Sequence, residues 1–200
     1  MKSINRLQVI FKTVERCNIA CKYCYYFFAG DDSYKKRPPV VKRNTIESLS
    51  EFLRQATTEM KIKTVQVVFH GGEPLLQKKI DFERACSSLL AAIPQSVKLE
   101  FGVQTNGMLI DSEWVELFNK FGVLVGISLD GDAFYNDMNR IDHRGRGTYD
   151  RVINGLKLLQ KNYAERKSEL RPGIITVLNS SFNYKRIVKH FVEDLGIDVF

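Results

Sequence analysis

The sequence predicts an α/β fold: a partial (β/α) barrel of TIM-like type with parallel strands. Three observations carry this. Short β-branched or alternating apolar runs take turns with stretches of helical period. The segments between strands are long enough for right-handed crossovers between parallel neighbours. Polar, ligand-capable residues follow the ends of successive strands rather than precede them, as on the active rim of such barrels.

The first strand, residues 7–14, alternates Leu7, Val9 and Phe11 with polar neighbours and runs into a cysteine-rich loop. Residues 29–40 are rich in Gly, Asp, Ser and Pro, and Pro38-Pro39 blocks an early helix. Asn44 with Glu47 three residues on offers a capping box, and Ile46, Leu49 and Leu53 share one face of a helix reaching Met60. A strand at 65–69, a helix at 82–93 with Leu89 and Leu90 inward, and a strand at 97–103 follow. Asp111 caps the next helix, which turns Trp114, Leu117, Phe118 and Phe121 inward. The strand at 123–129 is apolar enough to be buried on both faces. Thr148 is the expected N-cap of a helix carrying Val152, Leu156 and Leu159; a strand at 174–178, a helix at 184–194 and a strand starting at 197–200 complete the series. A closed eight-stranded barrel takes about 250 residues. Residues 1–200 are therefore expected to be one domain, incomplete near a sixth strand.

Composition limits the function. Of 200 residues 44% are hydrophobic and 26% charged, as in an ordinary globular chain. Lys and Arg outnumber Asp and Glu by 30 to 23, giving a net charge of +7. The basic residues are scattered (Lys35, Lys36, Arg37; Lys78, Lys79; Arg144, Arg146) rather than interleaved with aromatics in one stripe, so nucleic acid is not the expected partner. No apolar run reaches the roughly eighteen residues of a membrane span, and the amino terminus lacks a signal-peptide core, so the expected compartment is the cytoplasm. There, cysteines crowded together indicate metal or redox chemistry rather than disulfides.

Three of the four cysteines, Cys17, Cys21 and Cys24, fall within eight positions of one loop. A four-iron cluster held by four thiolates is coordinatively complete, whereas three leave one iron open to an outside ligand. Cys21 and Cys24 alone could form a thioredoxin-like redox pair, which leaves Cys17 unexplained. A zinc site completed by His70, His143 or His190 is the other alternative, but no second paired-ligand motif is present. Cys86, among apolar neighbours on a helix, reads as a core residue.

Further candidates stand at the ends of the next strands. His70-Gly71-Gly72-Glu73-Pro74 combines glycines that admit close backbone approach with a carboxylate able to accept from a cationic amino group. Gln104-Thr105-Asn106-Gly107 supplies amides, Ser128-Leu129-Asp130-Gly131 a hydroxyl and a carboxylate, and Arg140 a guanidinium that can grip a carboxylate. Each alone could be an Asx-rich turn.

The spacing Cys-x3-Cys-x2-Cys, with the aromatic Tyr23 before the last cysteine, resembles the signature of the radical S-adenosylmethionine superfamily. The whole chain resembles the amino-terminal catalytic part of its SPASM-type peptide maturases, the anaerobic sulfatase-maturing enzymes and cyclophane-forming maturases, with residues 25–39 most like the latter. The resemblance implies a 4Fe-4S cluster on the three cysteines. It assigns S-adenosylmethionine contacts to Tyr23, Gly71, Gly72, Glu73, Gln104, Asn106, Ser128, Asp130 and Arg140, and to Leu178 at the end of the fifth strand. It further implies cofactor cleavage to a 5′-deoxyadenosyl radical, hydrogen abstraction from a peptide or protein side chain, and an electron donor such as flavodoxin or ferredoxin. The product would be a cross-link or an oxidised residue, formylglycine among them. The carboxyl-terminal cysteine-rich region and acidic base of those relatives have no counterpart in these 200 residues, which leaves a non-catalytic cofactor-binding module as the contrasting reading.

Overall fold

The computed structural model describes residues 4–30, 32–166, 171–197 and 199. Five strands form one sheet: β1 (Arg6–Val14), β2 (Thr64–Gly71), β3 (Lys98–Thr105), β4 (Val123–Ser128) and β5 (Gly173–Ile175). All four neighbouring pairs are parallel and the spatial order follows the chain. A sheet in which every crossover steps in the same direction is barrel wall, not a doubly wound sheet whose order reverses midway.

The helices are α1 (Tyr25–Phe28), α2 (Arg43–Glu59), α3 (Lys79–Ala92), α4 (Ser112–Phe121), α5 (Ala133–Asn139), α6 (Tyr149–Arg166) and α7 (Tyr184–Lys189), the last running on into a π-turn at His190–Asp194. Alternation along the strands turns Phe69, Phe101, Val125 and Ile127 toward the helix layer, where they meet Leu53, Phe82, Leu89, Phe118, Leu156 and Leu159. Phe82 meets Trp114 edge-on at 5.4 Å, and Trp114 stacks on Phe118 at 5.7 Å. Cys86 is fully buried here, as its neighbours predicted.

Five expectations are corrected. On α3 Leu89 is buried but Leu90 is 49% exposed and faces away from the core. The strand at 123–129 is not buried on both faces, because Leu124 points to the open, concave side and is 40% exposed. Asn44 does not cap α2: the helix begins at Arg43 behind Lys42 with no side-chain cap, and Glu47 pairs with Arg43 at 3.0 Å. Thr148 precedes α6, but its hydroxyl donates to the Arg140 carbonyl at 2.8 Å. The amides of Thr148 and Tyr149 are received instead by Asp137 Oδ1 on α5, at 2.8 and 2.9 Å. The fifth strand ends at Ile175, so Leu178 lies three residues beyond it and is 58% exposed. Of the sixth strand, Asp198 and Phe200 lie outside the described residues; the Val199 carbonyl accepts from Ile174 N at 2.9 Å.

Candidate active site

The carboxyl ends of the strands converge on the cysteine loop. Two glycines make this possible. Gly71 has φ +132°, and a Cβ there would meet the Val14 carbonyl oxygen at 2.3 Å; at Gly72 it would meet the Arg16 carbonyl oxygen at 2.2 Å. With no side chain in the way, Gly72 N donates to Val14 O at 2.7 Å and Glu73 N to Arg16 O at 2.8 Å. The end of β2 is thereby zipped to the residues leading into Cys17.

On its other side the cysteine loop is laced to the segment after α5. Ala20 N donates to Ile141 O at 2.7 Å, Lys22 N to Asn139 O at 3.0 Å, and His143 Nε2 lies 2.9 Å from Cys17 O. That segment turns back on itself through an Ile141–Gly147 bridge fastened by Asp142. The Asp142 carboxylate accepts from the amides of Arg144 and Arg146 at 2.9 and 3.0 Å and pairs with the Arg146 and Arg151 guanidinium groups at 2.8 and 3.1 Å. These bonds hold its carboxyl well below the usual carboxylate range.

All four cysteines are free thiols. Cys21 is buried, and Cys17 and Cys24 are half-buried. Burial pushes the Cys17 thiol up to about 12, with the charges of Glu73, Cys21 and Cys24 adding to the rise. It also raises Cys21, against the opposing pull of the Arg140 charge. Desolvated thiols such as Cys17 and Cys21 become thiolates most readily around a cation. Among the described residues no three His, Cys, Asp or Glu side chains are gathered closely enough for a single metal ion. Three thiols in one loop supply the donor set of a four-iron cluster that keeps one iron open.

Two buried hubs organise the rim. Glu73 is wholly buried and Oε1 accepts from Leu75 N at 2.9 Å and Thr105 Oγ1 at 2.7 Å, while Oε2 accepts from Asn106 N at 2.7 Å. The carboxylate expected to receive a cationic amino group is thus turned inward and joins β2 to β3. It also seats Asn106, whose side-chain N–H reaches Asn18 Oδ1 at 2.7 Å and Cys17 Sγ at 3.9 Å. The second hub is Asp130, 1% exposed, which accepts from the Tyr23 hydroxyl and, through Oδ1, from Val177 N at 3.0 Å. Arg140, 5% exposed, donates to the Tyr23 oxygen at 2.9 Å, and its Nε has no hydrogen-bond partner among the described residues. Burial raises the Tyr23 phenol, so it stays a donor. Both Asp130 oxygens being engaged, this residue too is placed as an organiser rather than a free ligand.

Gln104 and Ser128 meet on the concave side, amide to hydroxyl at 2.9 Å. The structure therefore brings Cys17, Cys21, Cys24, Tyr23, Gly71, Gly72, Glu73, Gln104, Asn106, Ser128, Asp130 and Arg140 to one rim and leaves Leu178 outside their hydrogen-bond networks. Sequence reasoning missed Asn18, Thr105, Asp142 as an anchor, and His143 as a prop of the cysteine loop. Asn18 carried a signal by lying inside the cysteine spacing and Thr105 by lying in the Gln104–Gly107 segment, while His143 was singled out only as a zinc candidate.

Comparison with known proteins agrees with this geometry. Residues 11–179 match the family model described as Radical SAM superfamily. The chain is 33% identical over 151 residues to the serine-type anaerobic sulfatase-maturating enzyme of Klebsiella aerogenes, covering 74% of this chain and 35% of that enzyme. It is 29% identical over 194 residues to the cysteine-type enzyme of Clostridium novyi, covering 96% and 48% respectively. The solved structure of anSMEcpe with bound AdoMet superposes with a TM-score of 0.79 at 26% identity, over 94% of this chain and 49% of that one. The same protein with AdoMet and a Cp18Cys peptide gives 0.77 at 25%, over 94% and 48%. The chain thus spans half or less of the length of these relatives. No helix among the described residues is long and apolar enough to cross a membrane.

Proposed function

Because this chain belongs to the radical S-adenosylmethionine superfamily, whose members use a 4Fe-4S cluster and S-adenosylmethionine, we propose that it is the catalytic core of a peptide-modifying radical enzyme. The supporting observation is the cysteine loop itself: three buried or half-buried thiols held from both sides by backbone hydrogen bonds. Cys17, Cys21 and Cys24 would hold the cluster, which when bound would supply the electron for reductive cleavage of S-adenosylmethionine and so the hydrogen-abstracting chemistry.

The chain's own groups position these partners. The Gly71-Gly72 segment, packed against Val14 and Arg16, brings its carbonyl groups beside the cysteine loop to meet the cofactor's amino group, and the Gln104 amide and Ser128 hydroxyl stand together to meet ribose hydroxyls. Arg140 brings a buried positive charge beside Cys21 and Tyr23 for the cofactor's carboxylate region. Asn106 holds Asn18 against the cluster loop, Leu178 offers an apolar surface to adenine, and Glu73 and Asp130 act by positioning. The electron donor is a small redox protein such as flavodoxin or ferredoxin.

The substrate is a peptide or protein side chain. Cross-linking to a cyclophane is the reading carried by residues 25–39. Formylglycine formation is favoured by the two sulfatase-maturating relatives and by the peptide complex of anSMEcpe. Anaerobic reconstitution with iron and sulfide, reduction, and assay of 5′-deoxyadenosine test the core reading; an iron-loaded protein that releases none is a binding module instead. Mass spectrometry of treated peptides separates the products: conversion of cysteine to formylglycine removes sulfur, and formylglycine from serine, which loses two hydrogens as a ring does, is told apart by trapping its aldehyde with a hydrazine.

A further inference from the structure

The concave face of the sheet carries polar side chains along its strands, and nearly all of them are answered within the chain. Gln8 and Gln66 bond each other at 2.7 Å. Glu100 pairs with Arg6 at 2.7 Å and Lys98 at 2.8 Å. Gln104 bonds Ser128 at 2.9 Å. Two cross-strand neighbours at the rim end of this face, Lys12 and His70, have no side-chain acceptor among the described residues.

Lys12 has no carboxylate within ion-pair distance among the described residues; its Nζ lies 4.1 Å from the Tyr26 ring centroid, and a ring face offers no lone pair to its N–H donors. His70 is fixed in one tautomer. Its Nδ1 accepts from Gly71 N at 2.8 Å, which places the ring proton on Nε2 and leaves that atom a donor. Burial lowers the imidazole below its ordinary value and the Lys12 charge acts in the same sense, against an opposing backbone hydrogen bond at Gly71. The unanswered remainder of this face is therefore an ammonium beside an imidazole N–H, directly before the Gly71-Gly72 segment. Both are donors and their net charge is positive, so their complement is a carboxylate rather than a neutral carbonyl or a cation.

We infer that Lys12 and His70 form a carboxylate-binding subsite on the inner wall of the partial barrel. The inference rests on the reading given under Proposed function and deepens it: with the cofactor's carboxylate met at Arg140, the group bound here is an acidic side chain of the peptide. It docks with one oxygen on Lys12 Nζ and the other on His70 Nε2, and the peptide is thereby held within reach of the cofactor loop.

The test is an imidazole nitrogen–proton NMR titration of the iron-loaded protein carrying ¹⁵N-histidine, with His70 assigned by His70→Gln. N-acetylaspartate methylamide added in the presence of S-adenosylmethionine should move the His70 Nε2 resonance saturably, and N-acetylasparagine methylamide should not. Lys12→Gln should weaken that binding by about tenfold, as loss of one charged partner does. A shift produced by S-adenosylmethionine alone, to which the aspartate mimic adds nothing, would overturn the peptide subsite. No shift with either, equal shifts with the acid and amide mimics, or binding unchanged in Lys12→Gln would overturn it. The 5′-deoxyadenosine assay of unaltered protein judges the enzymatic reading separately, because the titration needs no turnover.

Discussion

Among single residues Glu73 illustrates how chemistry and architecture trade places. A carboxylate after a glycine pair suggests a ligand for an amino group, and in the structure it is wholly buried and answers three donors from its own chain. Glutamine is close to isosteric but presents one N–H2, so either orientation sets a donor against a donor: Asn106 N in one, Leu75 N in the other. Glu73→Gln should therefore destabilise the fold by about 1–3 kcal/mol, the penalty of a buried donor left unmet. It should also loosen Asn106 from Asn18, so iron retained after reconstitution should fall. Equilibrium denaturation and iron analysis on the same preparation check both, and unchanged values in both would remove Glu73 from its organising role. The cysteines were legible because thiols spaced four and three apart in one loop can converge on a single metal centre, which is a local property of the chain. The partnership of Tyr23, Asp130 and Arg140 was not, because the contacts join residues more than a hundred positions apart, and no local rule reaches that far.

At the scale of elements the alternation of strands with the longer helices was legible, since the periods of two and near four are local consequences of backbone geometry. Asp111 caps α4 as read, its carboxylate accepting from Trp114 N at 2.9 Å. Thr148 was misread because a tertiary acceptor took its place: α5 delivers the Asp137 carboxylate to the amides that Thr148 would have served. That helix itself escaped notice, having only seven residues, of which Tyr135 and Asn136 are buried, too few to show a period. The fifth strand falls short because the peptide groups beyond Ile175 turn to Asp130, not to a neighbouring strand. The hairpin at 141–147 belongs to this scale too, being built around one carboxylate. Asp142→Ala should free the hairpin, release its grip on Ala20 and Lys22, and lower iron retention severalfold while the sheet stays folded by circular dichroism. Asp142→Asn, which keeps one acceptor, should fall between. The pH dependence has a definite sign: a depressed carboxyl contributes above its unfolded value and is lost only as pH falls through its lower folded value. Protection of the Arg144 and Arg146 amides should thus persist through mild acid and fail below the ordinary carboxylate range. Loss of protection between neutrality and pH 5 would contradict the assignment.

For the whole molecule, the rim joins distant parts of the sheet. The end of β2 is bonded to the approach to Cys17, and the segment after α5 is bonded to Ala20 and Lys22, so the cysteine loop bridges elements that neighbour each other nowhere in sequence. The sequence could reveal that ligand-capable residues sit at strand ends, because that follows from parallel topology. It could not reveal which of them face a cofactor and which brace the loop, because that depends on how the sheet curls. A cluster on the three cysteines adds covalent ties to this bridge. Ligation should then lower the free energy of the closed loop relative to any opened form, and the effect should travel through the hydrogen bonds to the hairpin. Hydrogen exchange gives the measurement. In iron-loaded protein the Ala20 and Lys22 amides, which donate to Ile141 and Asn139, should exchange more slowly than in iron-free protein, and the protection should extend to the Asp142 amide that bonds Arg146 O at 2.8 Å. Core amides of β2 and β3, already held by both neighbours, should change far less. Equal slowing over the entire sheet would mean that iron stabilises the fold globally. No slowing at Ala20 and Lys22 would mean that the loop is already rigid before metal arrives, and the hairpin would then be a preformed mould rather than a clamp that closes on the cluster.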